Sequence, residues 1–323
     1  MKLARTYTYL KNDLDKIEDA LNETIQAEHP VLREASVQLL QAGGKRLRPV
    51  FVLLSSMFGN YDLERIKTVA VSLELIHMAS LVHDDVIDES DIRRGKPTVK
   101  AQWDNRIAMY TGDYIFARSI EYLTTINNAR AHKILSEIIV ELSIGEIEQI
   151  KDKYNVNQNI RNYLRRIKRK TALLISSSCR IGAIASDASP AIEKALYQYG
   201  YYIGMSYQII DDILDFTSTE KQLGKPAGSD LLQGNLTLPV LYAMENEDFY
   251  AQLTDLFRNP KAVDQESIVP LVQQVKKSDA IDRSYELSER YLHKAFNALE
   301  ELPNIKAKQT LRDIAIYIGK RKA

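Results

Sequence analysis

Two short carboxylate runs are the residues best suited to do chemistry. Asp84, Asp85 and Asp88 lie in LVHDDVIDESDIRRG, residues 81–95, where an apolar stretch runs into acid and then into Arg93 and Arg94. Asp211, Asp212 and Asp215 repeat the pattern as DDILD, again closing an apolar stretch. On a helix, positions i and i+4 share a face, so Asp84 and Asp88 project together one turn apart, with Asp85 about 100° around the cylinder. Carboxylates gathered at a helix C-terminus repel one another and oppose the macrodipole, so they call for a cation. Oxygen donors with no His or Cys in the cluster select a hard divalent ion. Mg²⁺ takes one or two carboxylates and completes its shell with water and phosphate oxygens, which suits a diphosphate. The alternating acids, central Gly and terminal Glu of an EF-hand are missing, which opposes a calcium loop.

Basic residues supply the counterpart. AGGKRLRP offers flexible Gly43 and Gly44, then Lys45, Arg46 and Arg48 at what reads as a helix start, a possible phosphate cradle. Lys170 and Thr171 end the basic run YLRRIKRKT, and Lys225 lies in LGKPAGSD. The 43 basic and 43 acidic residues cancel, so bulk charge recruits neither nucleic acid nor an anionic membrane.

Helices must hold these stations. Long polar/apolar alternation is missing, whereas helix-period apolar spacing recurs from Leu14 onward, and the sequence predicts an all-α protein. Residues 64–89 are apolar or small on nearly every side, as are residues 190–216, which Ser189 caps and Pro190 opens; both predict helices surrounded by others. No polar stretch is long enough for a linker, so one domain over 1–323 is expected. Cys179 is alone, and the opening MKLARTYTYLKNDLDKIEDA lacks an apolar centre, so neither a disulfide nor a signal peptide is expected. Runs such as 50–57 fall short of the roughly 20 residues of a membrane helix. The cytoplasm is the expected address, with no membrane anchor and no nucleic acid partner.

GGKRLRP, ELIHMASLVHDDVIDESDIRRG, RKTALL, YQIIDDILD and LGKPAGSDLLQGNLTLP, in this order, resemble the trans-isoprenyl diphosphate synthases over almost the whole chain. The likeness is greatest in the long-chain branch, to the larger, catalytic component of two-component heptaprenyl enzymes. It implies an isoprenoid synthase fold, an antiparallel helix bundle in which two aspartate helices face each other across a deep central cavity. It also implies an allylic diphosphate, such as farnesyl diphosphate, bound through Mg²⁺ by Asp84, Asp88 and Asp211. Asp85, Asp212 and Asp215 would be nearby or water-mediated ligands, and Arg93, Lys170 and Lys225 would touch the same diphosphate. Isopentenyl diphosphate would be held without metal by Lys45, Arg48, His77 and Arg94, with Thr171 and Gln208 beside the reacting carbon. A smaller protein component is the implied partner, a homodimer the alternative, and the menaquinone side chain the implied use. One departure stands out, since many relatives have Gly-Lys where this chain has Gly234-Asn235.

Along the first aspartate helix, Ser80, Ala79, Ile76 and Leu73 precede Asp84 and would lie roughly 6, 7.5, 12 and 16 Å below the metal. Small Ser80 and Ala79 leave the tunnel open where short-chain relatives close it with aromatics. The expected product is heptaprenyl, with octaprenyl or hexaprenyl as alternatives. An intact DDILD opposes a terpene cyclase, and the retained acids and bases oppose a non-catalytic subunit.

Overall fold

Helical periodicity along the sequence becomes helix in the computed structural model, which describes residues 3–44, 46–219 and 226–321. Lys45 and Lys225, both given phosphate roles above, lie outside the described residues. Helices α1 (Lys11–Thr24), α2 (Pro30–Gln41) and α3 (Leu47–Ser56) lead to the long α4 (Leu63–Ile87). A two-residue ribbon, β1 (Ile92–Arg93) with β2 (Lys96–Pro97), precedes α5 (Val99–Gln102), α6 (Asn105–Leu123), α7 (Ala129–Asp152) and α8 (Ile160–Ile167). A π-helical turn at Lys168–Ala172 joins α8 to α9 (Leu173–Ala185), and α10 (Pro190–Thr217) follows. The remainder is α11 (Ser229–Leu232), α12 (Leu238–Ala243), α13 (Glu247–Phe257), α14 (Gln265–Lys277), α15 (Ala280–Glu300) and α16 (Lys306–Gly319). The chain divides into two compact units. The first comprises Met1–Ile139, Leu174–Tyr197 and Leu299–Ile314, and the second Val140–Leu173, Gln198–Ala298 and Ala315–Ala323.

In the first unit α4 packs against α1, α2, α3, α5 and α6, which explains why apolar residues occur all round it. Asp62 caps its start by accepting from the Glu64 amide, and the helix ends at Asp88, after which Glu89 takes φ 51°. The sequence reading of 64–89 is met within two residues at either end. By length and mean hydropathy, 1.2 over its apolar window, α4 could cross a membrane, but 72% of that window is buried in the protein. Gly112 sets the approach of α6, because a Cβ there would collide with the His83 imidazole. His83 therefore packs between helices.

The ribbon is the feature that sequence reading missed. Arg94 and Gly95 form its turn, both with positive φ (54° and 76°), the geometry of a two-residue hairpin. Strands of two residues are too short to show alternation.

The second unit has its own core, built from Tyr163 and Ile167 of α8, Met205, Ile209, Ile213 and Phe216 of α10, and apolar residues of α11 to α14. Gly204 allows α10 to meet the π-turn, since a Cβ there would lie 2.6 Å from the Ala172 Cα. The Ser189 hydroxyl accepts from the Ile192 amide at the start of α10, as its N-cap position predicts.

Candidate active site

The last turn of α4 keeps the i, i+4 relation of its outer aspartates, because the Asp88 amide donates to the Asp84 carbonyl at 2.8 Å. Asp85 points elsewhere and is buried. The ribbon returns Arg93 onto it: Nε donates to both carboxylate oxygens at 2.9 and 3.0 Å, and Nη2 lies 2.7 Å from Oδ1. Burial pushes the Asp85 carboxyl up, Arg93 opposes the push, and Asp84 and Asp88 add to it. The reading that gave Arg93 to a diphosphate thus meets an arginine already engaged with the cluster's middle acid.

Upstream on the same helix stands a cationic station. Arg46, in the left-handed region at φ 46°, anchors the loop before α3 by pairing with Glu18 at 2.8 Å and with buried Glu74 at 3.3 Å. Arg48 follows on the first turn of α3. Gly44 leaves room for Arg94, whose Nη1 would lie 2.7 Å from a Cβ at that position. His77 of α4 feels all of them. Loss of hydration holds its pKa well below the usual imidazole value, and Arg48, Arg94, Arg93 and Arg46 depress it further, so it stays neutral. The field of these guanidinium groups at His77 is positive, which suits an anion that brings no metal. Of the expected chain-length residues, Leu73, Ile76 and Ala79 are fully buried, while partly buried Ser80 donates to the His77 carbonyl at 2.8 Å.

In the second unit the aspartates of DDILD differ sharply from one another. Asp211 faces the C-terminal Arg321, whose Nη2 lies 2.6 Å from Oδ1 and whose guanidinium sits 4.8 Å over the Tyr207 ring. Asp212 is buried and accepts from the Tyr163 hydroxyl at 2.6 Å and from Gln208 Nε2 at 2.8 Å. Burial, then Asp230, pushes its pKa up to about 8. Asp215 holds the chain that follows: Ser229 Oγ donates to it at 2.8 Å and the Asp230 amide at 3.2 Å. On the π-turn, Lys170 Nζ lies 3.2 Å from both Glu146 Oε2 and Gln149 Oε1, and Thr171 donates to Gln208 Oε1 at 2.7 Å. Gly234 takes φ 79°, and a Cβ there would meet the Tyr154 ring, so this glycine is needed for packing whatever follows it.

Among the described residues no three His, Cys, Asp or Glu side chains form a ready-made metal cage. The donors at the end of α4 are carboxylates alone. That set fits Mg²⁺, which draws its remaining ligands from water and phosphate oxygens rather than from a closed protein shell. Sequence reasoning passed over Tyr163, Glu146 and Gln149. Only Tyr163 left a signal, as an aromatic beside the arginines of a short helix.

A family profile described as polyprenyl synthetase matches residues 29–275. The chain belongs to this family. It is 62% identical over 322 residues to heptaprenyl diphosphate synthase component 2 of Bacillus subtilis (strain 168), covering 100% of this chain and 92% of that one. It is 59% identical over 321 residues to the component 2 protein of Geobacillus stearothermophilus, covering 99% of each. Among solved structures, a heptaprenyl diphosphate synthase from Staphylococcus aureus aligns with a TM-score of 0.92 at 46% identity, covering 97% of this chain and 99% of that one. A polyprenyl synthase from Caulobacter crescentus, complexed with calcium and isoprenyl diphosphate, aligns with a TM-score of 0.94 at 28% identity, covering 100% and 98%. The fold is the all-α isoprenoid synthase fold, and the protein is a trans-prenyltransferase of the long-chain polyprenyl class.

Proposed function

We propose that the protein condenses isopentenyl diphosphate with an allylic diphosphate, farnesyl diphosphate as primer, to make heptaprenyl diphosphate. The observation that carries this reading lies on α4. An arginine-flanked neutral imidazole, His77, and a carboxylate pair, Asp84 with Asp88, are separated by seven residues, or about 10 Å of helix. One station takes a diphosphate directly and the other takes one with its metal. Two diphosphates, one of them a leaving group, are the requirement of chain elongation. The calcium and isoprenyl diphosphate named for the Caulobacter crescentus structure accord with a divalent metal and a diphosphate as ligands.

In this reading Asp84 and Asp88, and Asp211 of the second unit, would serve as Mg²⁺ ligands, the metal when bound supplying charge neutralisation on the departing diphosphate. Asp85, Asp212 and Asp215 orient the groups around them, and Lys170 and Lys225 contact the allylic diphosphate, with Arg93 steadying Asp85 beside it. Lys45, Arg48, His77 and Arg94 hold isopentenyl diphosphate. The allylic C–O bond breaks, the isopentenyl double bond attacks the resulting carbon, and a proton is lost, while an apolar lining excludes water. The whole of 1–323 serves as a single domain in the cytoplasm, paired with a smaller component as the name component 2 implies for the relatives, and feeds the menaquinone side chain.

Incubation with Mg²⁺, farnesyl diphosphate and isopentenyl diphosphate, with and without the smaller component, tests the reading. Longer diphosphates are expected, and Asp84→Ala and Asp211→Ala should each lose activity by orders of magnitude while retaining their fold. Near-parental turnover in either variant would refute the metal assignment, and cyclised hydrocarbon would refute the reaction.

A further inference from the structure

Four side chains of the second unit form an unbroken hydrogen-bonded line. The Tyr163 hydroxyl donates to Asp212 Oδ2 at 2.6 Å, Gln208 Nε2 donates to Asp212 Oδ1 at 2.8 Å, and the Thr171 hydroxyl donates to Gln208 Oε1 at 2.7 Å. Tyr163, Asp212 and Thr171 are buried, at 0%, 3% and 8% exposure, so water competes little for these bonds.

The direction of the line follows from its chemistry. Asp212 accepts at both oxygens, from the phenol at Oδ2 and from the Gln208 NH₂ at Oδ1. The amide carbonyl then faces Thr171, whose hydroxyl spends its single proton on it. What remains on Thr171 Oγ1 is lone pairs only.

We propose that Tyr163 is a positioning residue for the condensation: through Asp212 and Gln208 it fixes the Thr171 hydroxyl so that lone pairs, and not its proton, meet the allylic carbon as positive charge develops. This rests on the reading that Thr171 and Gln208 lie beside that carbon. Oriented lone pairs stabilise a developing cation, whereas a hydroxyl proton turned towards it would raise the barrier. In this role Asp212 serves the line, both of its oxygens taken by protein donors, while Asp84, Asp88 and Asp211 serve the metal. Packing alone does not demand the phenol, because a phenylalanine would fill the same core space.

Tyr163→Phe is therefore the test, with steady-state kinetics on farnesyl diphosphate and with Mn²⁺ affinity read by paramagnetic resonance in the presence of inorganic diphosphate. The expected result is a kcat reduced about 10- to 100-fold, with KM and Mn²⁺ affinity within about twofold of the parent. Thr171→Val should lose at least as much and Thr171→Ser should restore it. The double variant Tyr163→Phe/Thr171→Val should be no slower than Thr171→Val alone. Parental kcat in Tyr163→Phe beside a crippled Thr171→Val overturns the positioning role. So do fully multiplicative losses, or a fall in Mn²⁺ affinity that tracks kcat. Full activity in Thr171→Val is a different failure, overturning the placement of Thr171 beside the reacting carbon and this inference with it. Should Tyr163→Phe lose its fold, the same cycle between Gln208→Met and Thr171→Val decides, with coupled losses expected and independent losses overturning the line.

Discussion

His77 and Asp212 are both ionisable, both on helices and both displaced from their ordinary pKa, yet in opposite chemical senses. Burial and the arginines lower the His77 pKa, whereas burial and then Asp230 raise that of Asp212. For His77 the consequence is a pH-dependent stability. Once pH falls below about 6.5 the unfolded chain protonates this imidazole and the native state does not, so stability drops as pH drops, by up to about 1.4 kcal/mol per unit. Thermal melts of the metal-free protein from pH 7 to pH 5 should show a steeper fall for the parent than for His77→Asn. Equal slopes would mean that the native imidazole takes up its proton like any exposed histidine. The residue types at these stations were legible in the sequence, but their duties were not. Arg46 and Arg48 look interchangeable in GGKRLRP, yet Arg46 is spent on Glu18 and Glu74.

At the scale of elements, α4 carries most of the functional load, because a helix repeats its facing side chains at fixed depths. Leu73, Ile76 and Ala79 are fully buried one to three turns before the aspartates, and if this face measures the product, bulk added near the aspartates must shorten it. Ala79→Tyr should reduce the main product to about four isoprene units or fewer by overfilling a small site. Ile76→Gly should lengthen the product, with about 1 kcal/mol of helix stability lost. Chromatography of dephosphorylated products checks both, and an unchanged product from Ala79→Tyr would remove this face as the ruler. The course of α4 was readable from its continuous apolar pattern. The π-turn at Lys168–Ala172 was not, because RKTALL fits an ordinary helix equally well and the packing of Ala172 against Gly204 lies far away in sequence.

For the molecule as a whole, the component 2 relatives make association part of the activity expected of this chain. Purified alone, it should be inactive or weakly active, and adding the smaller component should raise turnover at least tenfold, with the two eluting together in size-exclusion chromatography in the presence of Mg²⁺ and farnesyl diphosphate. Full long-chain synthesis by the isolated chain would instead favour a homomeric enzyme of the octaprenyl type.

The sequence by itself determined the all-α class, the two core-type helices and the residue types gathered in the acidic and basic runs. These follow from local rules, the 3.6-residue period and the chemistry of oxygen ligands. Tertiary structure alone decided which partner each acid meets. Asp85 goes to Arg93 because a two-residue hairpin folds back, Asp212 to Tyr163 from 49 residues away, and Asp215 to Ser229. The physical reason is that three carboxylates within one turn are equivalent by spacing. Only the burial of each, and the donors that distant segments bring to it, distinguish one from its neighbour.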